Sequence, residues 1–217
     1  MKSKFAVSTV LVGAVLASQV PMAASAFWAW GPTWTTPSAS RYLYVWSSSF
    51  TSAQQTAIAN ANMAYDSSKT NAFDPGDPGS STLHISGTTF STNATAYANA
   101  TFKISRQTST WTFGSRYVGF TCLGICGTIS PGANRSTIYL NDVNFNFGTS
   151  FIPSLTSPTV DLQTIVLHEL GHSHGLGHPE QIHNPFTPAE AASVMYVNET
   201  VKRSLTSDDI KGLEVNY

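Results

Sequence analysis

His168-Glu169-Leu170-Gly171-His172-Ser173-His174-Gly175-Leu176-Gly177-His178 is the stretch that decides how this chain folds and what it can bind. His168 and His172 are four residues apart, so on a helix they project from one face, one turn above the other. Two imidazoles so placed can hold one zinc ion, each at about 2.0–2.1 Å. Glu169 lies about 100° further round the helix, beside such a metal without ligating it. Gly175 can adopt the left-handed conformation that ends a helix. The chain can then turn back and deliver His178 as third ligand. Three protein ligands leave one position for water, the pattern of a catalytic zinc site. Zinc brings the pKa of a bound water towards about 7, and Glu169 can take its proton. Glu169 can then hand the proton to a departing amine, which makes amide hydrolysis the expected chemistry.

The other histidines fit this geometry less well. His174 and His183 fall outside the ligand spacing and read as polar or half-buried residues, as does the isolated His84. Glu190 follows His172 by 18 residues and offers an alternative third ligand from a later helix. His178 is better placed, and Glu190 reads more simply as a solvent-facing helix residue.

Outward from this stretch, the chain of 217 residues is long enough for one domain with its own core. Only 11% of residues are charged, well under the roughly 25% usual for soluble domains, and the net charge is −1. No basic patch stands out, so a nucleic-acid partner is not expected. Residues 1–26 read as a secretory signal peptide: Lys2 and Lys4, an apolar run from Phe5, then Ala24-Ser25-Ala26. No later stretch is apolar enough to span a bilayer. The mature chain is therefore expected to be secreted and extracellular, with monomer as the default state. Cys122 and Cys126 are the only cysteines. In an oxidising compartment a small disulfide loop between them is expected, with free thiols or a metal-bound thiolate as alternatives.

Residues 27–40 carry Trp28, Trp30 and Trp34 and read as an extended segment on the domain surface. The domain proper then covers 41–217. Residues 42–46 have strand composition, and 51–65 have helical spacing. A turn is expected at 74–79. Strands are expected at 83–85, 95–104, 117–121 and 137–140. Ser157-Pro158 is a fitting start for the histidine-bearing helix. Thr206, three residues before Asp209, resembles a capping box opening a last helix. This order of elements is α+β.

The histidine stretch resembles the signature of the metzincin zinc peptidases, His-Glu-x-x-His-x-x-Gly-x-x-His. Ser193-Val194-Met195-Tyr196 is similar to the methionine turn of that group. Leu205 to Leu213 is similar to the last helix of its matrixin branch. The resemblance implies a zincin-like fold: a twisted, mostly parallel five-stranded sheet with three helices and a small C-terminal subdomain after Gly175. It implies His168, His172 and His178 as ligands of a catalytic Zn2+, Glu169 as general base, and Met195 as the hydrophobic base beneath the ligands. It implies a zinc endopeptidase acting on an extended protein or peptide substrate, paired with an edge strand near 137–141. No cysteine precedes the first strand, so the propeptide cysteine that blocks the zinc in matrixins has no counterpart. A structural Ca2+ is left open by Asp74 and Asp77, which a proline-glycine turn explains as well, and the glycine-rich calcium loops of the family find no close match. In some matrixins a freed aromatic N-terminus pairs with an aspartate of the last helix, which would set Phe27 against Asp208 or Asp209. A secreted zinc-containing binding or adhesion module, or a non-peptidase zinc hydrolase, is the competing reading.

Overall fold

The computed structural model of the protein describes residues 41–67, 85–123, 135–154, 157–179, 187–196 and 200–216. The segments expected as a signal peptide (1–26), an extended arm (27–40) and a turn (74–79), with His84, Cys126 and His183, lie outside the described residues.

Alternation builds the first strand. Leu43 and Val45 of β1 (Arg41–Trp46) are fully buried, while Tyr42, Tyr44 and Trp46 point to the other side of the sheet. A one-turn 3-10 segment leads into α1 (Ser52–Ser67), which buries Ile58, Ala61 and Tyr65. The chain returns as β2 (Ile85–Ser91), parallel to β1. After α2 (Ala94–Asn99), β3 (Phe102–Gln107) pairs with the other side of β1, again parallel. β4 (Gly119–Leu123) and β5 (Ser136–Asn141) complete the sheet in the order β2-β1-β3-β5-β4. β5 runs parallel to β3, and β4 is the one antiparallel strand, with Thr121 opposite Ile138. β6 (Asn146–Gly148) and β7 (Thr159–Asp161) form a separate two-stranded parallel sheet.

α3 (Leu162–Ser173) carries the histidines and is buried at every residue except Gln163. It is covered from several sides, so its polar residues Thr164, His168, Glu169, His172 and Ser173 are buried along with its apolar ones. It packs against α1, β4 and β5. Ile165, Val166, Leu167 and Leu170 meet Leu43, Ile104 and Ile138 in one core. Its start is anchored: the Asp161 carboxylate caps Thr164 N–H at 2.9 Å and pairs with Arg203 at 2.6 Å. Beyond Gly175 the regular elements among the described residues are α4 (Pro188–Ala192) and α5 (Ser207–Asn216). No helix among the described residues is long and apolar enough to cross a membrane.

The mostly parallel five-stranded sheet and the three main helices match expectation, and α5 opens as expected at Thr206, whose hydroxyl lies 2.6 Å from Asp209. Four local expectations are corrected. The span 95–104 is not one strand, because the Asn93 side chain caps Ala96 N–H and nucleates the alanine-rich α2 before Phe102 begins β3. Ser157-Pro158 does not open α3; Val160 is drawn into the β6–β7 ladder, and the helix waits for the Asp161 cap. The segment 137–141 is an interior strand, and the edge next to it is β4, because an antiparallel return folds β4 outside β5. Glu190 does not face solvent. It is buried at 1% exposure and closes a capping box with Thr187 at the start of α4.

Candidate metal centre

His168 and His172 stand one turn apart on α3, their rings edge to face with centroids 4.8 Å apart. Gly175, at φ +84°, ends the helix, and Leu176 N–H folds back to the Gly171 carbonyl at 2.9 Å. This turn does two things. It places the Leu176 carbonyl 2.8 Å from His172 Nδ1, and it carries His178 over the first two imidazoles. His168 Nδ1 meets the Val194 carbonyl, also at 2.8 Å.

Those two carbonyls settle the tautomers. A carbonyl only accepts, so Nδ1 of His168 and of His172 carries the proton, and each Nε2 is left as a lone pair. His178 Nε2 lies 3.0 Å from both of these nitrogens. The three histidines form the one group of candidate metal-ligating side chains found among the described residues. Two imidazole nitrogens on one tetrahedral zinc lie about 3.3 Å apart, so this spacing fits a shared cation. Burial, the largest cause, pushes the pKa of His168 and His178 well below the usual imidazole value and that of His172 to about 4. The imidazoles are thus neutral at physiological pH, the state in which they bind metal.

Glu169 is fully buried beside this cluster. The Thr121 hydroxyl of β4 lies 2.6 Å from its Oε2 and 3.0 Å from its backbone carbonyl. Met195 is buried against α3, its Sδ filling the place that a side chain at Gly171 would take. A residue larger than glycine at 171 would displace that sulfur.

The turn around Met195 is held on two sides. The Asp209 carboxylate accepts from the Ser193 hydroxyl and from Val194 N–H, as well as from Thr206. Lys202 Nζ donates to the carbonyls of Ala191, Ser193 and Tyr196 at 3.3, 2.6 and 3.0 Å. Both clamps bear on His168 through the Val194 carbonyl. Asp208 is buried too, next to Asp209. Phe27 lies outside the described residues, so the expected pairing of the N-terminus with either aspartate finds no test here.

His174 is kept out of the cluster. Its ring stacks on Tyr65 at 4.6 Å, and its Nδ1 lies 2.7 Å from the Leu170 carbonyl. It is fully buried rather than half-buried, but it turns away from the ligands as its spacing implies. Tyr65 in turn donates to the Leu167 carbonyl at 3.0 Å. Cys122, on β4, is disulfide-bonded. Sequence reasoning missed Thr121, Gly119, Leu176, Val194 and Lys202. Thr121 and Gly119 come from a distant strand, and Leu176 and Val194 act through backbone carbonyls, which any residue type supplies.

No curated protein matched the chain. The sequence profile of the matrixin family matches residues 35–217, which takes in every described element and the whole histidine stretch. The chain belongs to the matrixin family of zinc metalloendopeptidases.

Proposed function

We propose that this matrixin is a secreted endopeptidase in which His168, His172 and His178 hold the catalytic zinc through Nε2 and Glu169 is the general base. The observation that carries the reading is the convergence of three buried Nε2 atoms, two of them with their protons fixed on Nδ1, beside a fully buried carboxylate. Both lone pairs face the third Nε2 at 3.0 Å, so all three nitrogens can turn to one shared cation. When bound, zinc supplies Lewis-acid polarisation of a water and of the scissile carbonyl.

The chain's own residues do the rest. Glu169 takes a proton from the attacking water and gives it to the amine that leaves as the C–N bond breaks. The carbonyls of Val194 and Leu176 keep the His168 and His172 rings in one tautomer and one orientation. Met195 closes the floor of the site against water. Among the described residues β4 pairs on one side alone, so its outer edge is where an extended peptide can add as a further strand.

The remaining assignments complete the proposal. Residues 1–26 are an export signal, 27–40 a surface arm, and 41–217 the catalytic domain. Cys126 is the disulfide partner of Cys122. The substrate is an extracellular protein or peptide. The test is hydrolysis of a mixed fluorogenic peptide library by the exported protein, beside Glu169→Ala and a chelator-treated sample. Cleavage lost in both controls, with zinc still bound to Glu169→Ala, supports the reading. Stoichiometric zinc with no cleavage of any peptide would replace it with a binding module. A mature product that does not begin at Phe27 would overturn the proposed export cleavage.

A further inference from the structure

We propose that Thr121 is a positioning residue for the Glu169 carboxylate, and that β4 sets the carboxylate's direction through Thr121 and Gly119. This rests on the reading of Glu169 as general base.

The argument begins with proton counting. The Thr121 hydroxyl has one proton and lies near two acceptors, Glu169 Oε2 at 2.6 Å and the Glu169 backbone carbonyl at 3.0 Å. The carbonyl has another donor. Ser173 Oγ donates to it at 3.2 Å, as a helical serine bonding one turn back. Ser136 Oγ, on β5, is 2.8 Å from Ser173 Oγ, and since the Ser173 proton is committed to the carbonyl, Ser136 is the donor of that pair. The carboxylate is also the nearer of the two acceptors, which assigns the Thr121 proton to Oε2. Thr121, Ser136 and Ser173 are all buried.

Gly119 supplies the second constraint. It lies two residues before Thr121, on the same face of the strand. A Cβ there would sit 2.7 Å from Glu169 Oε1, 3.0 Å from Cγ and 3.1 Å from Cδ. The carboxylate therefore occupies the room left by a missing side chain, with a hydroxyl holding its other oxygen. A proton shuttle between water and a leaving amine depends on such placement, because small displacements of a catalytic group cost large factors in rate. The same strand that offers its outer edge to the peptide thus orients the base on its inner face.

The experiment compares Thr121→Val, Thr121→Ser and Gly119→Ala with the wild-type chain and Glu169→Ala. It measures kcat and KM on one cleaved peptide, zinc per chain, and melting temperature. Valine keeps the shape of threonine but not its proton; serine keeps the proton. Thr121→Val should lower kcat about 10–100-fold with KM within about 2-fold and zinc stoichiometric, and Thr121→Ser should stay within about 3-fold of wild type. Gly119→Ala should lower kcat with zinc retained, because its Cβ meets the movable end of Glu169 rather than backbone. A merely structural role would lower the melting temperature of Thr121→Val and leave kcat of the folded, zinc-loaded enzyme unchanged, which would overturn the proposal. Equal losses in the valine and serine variants would overturn it too. Should Thr121→Val fail to fold, Gly119→Ala decides, and unchanged kcat there ends the idea. Activity retained by Glu169→Ala would instead remove the reading of Glu169 itself.

Discussion

The two halves of the site come from different distances along the chain. The three imidazoles and the carboxylate lie within one short stretch, His168 to His178, and a helix followed by a glycine turn is enough to bring them together. Apart from the Leu176 carbonyl on His172, their supports come from far away. Val194 is 26 residues from His168, Thr121 is 48 from Glu169, and Tyr65 is 102 from Leu167. Which groups cluster is therefore a local property, and the orientation of His168 and Glu169 a tertiary one. Variants should fail differently: the imidazoles by losing metal, Glu169 by losing rate alone, and the distant supports by losing stability or rate with metal still bound.

The sharpest break should come in the local half. His178→Ala removes the ligand that lies 3.0 Å from both other Nε2 atoms. Zinc per chain after dialysis should fall to near zero and peptide hydrolysis should be abolished, while the apo-protein still shows a cooperative unfolding transition. A variant that keeps one zinc per chain through dialysis would mean that the metal has another third ligand.

Acid should expose the same half by a different route. Burial holds the His172 pKa at about 4 in the folded chain, and pushes those of His168 and His178 well down, whereas unfolded histidine titrates near 6.5. Between those values the unfolded chain binds protons that the folded chain does not. The contribution of these groups is thus fully present above about pH 6.5 and is lost as pH falls towards the folded values. Chelator-treated protein should show a urea midpoint that falls steadily from pH 7 to pH 5. A flat midpoint across that window would show that the imidazoles are not held neutral by burial.

The distant half is tested at Asp209, whose carboxylate accepts from Ser193, Val194 and Thr206 at once. Asp209→Ala leaves buried donors without their acceptor and frees the turn that presents the Val194 carbonyl to His168. Charge-assisted bonds of this kind are worth about 1.5–3 kcal/mol each, and they are not additive. A loss of about 3 kcal/mol in denaturant melts is expected, with zinc bound but more weakly held. Unchanged stability would show that Lys202, donating to three carbonyls of the same region, holds the turn alone.

This split also explains what was legible in the sequence. The spacing of His168, His172 and His178 is a helical period plus a glycine turn, and both are local, so the clustering of these three imidazoles could be read directly. The Thr206–Asp209 cap was legible for the same reason, although its second task, gripping Ser193 and Val194, was not. The strand order was not readable, because β4 precedes β5 in the chain but lies outside it in the sheet. That single exchange moved the expected substrate edge from 137–141 to Gly119–Leu123. Glu190 misled because a five-residue helix has too few turns to reveal which face is covered. Thr121 is an ordinary strand residue until the fold sets it against Glu169.

The smallest effect expected lies far from the metal and measures how independent the two halves are of the rest. Asn93 caps α2 by accepting from Ala96 N–H at 3.1 Å, and α2 touches the sheet along β1, β2 and β3, where Tyr97 donates to the Ile104 carbonyl at 2.7 Å. Asn93→Ala should cost about 1 kcal/mol, the usual worth of such a cap. None of that loss should reach the site, since β5 still separates β3, the nearest strand that α2 touches, from β4 in the order β2-β1-β3-β5-β4. Thermal melts should shift by a few degrees, while kcat, KM and zinc content stay at wild-type values. A fall in kcat at full zinc occupancy would mean that strain crosses the whole sheet to β4, and the division between local ligands and distant supports would have to be redrawn to include α2.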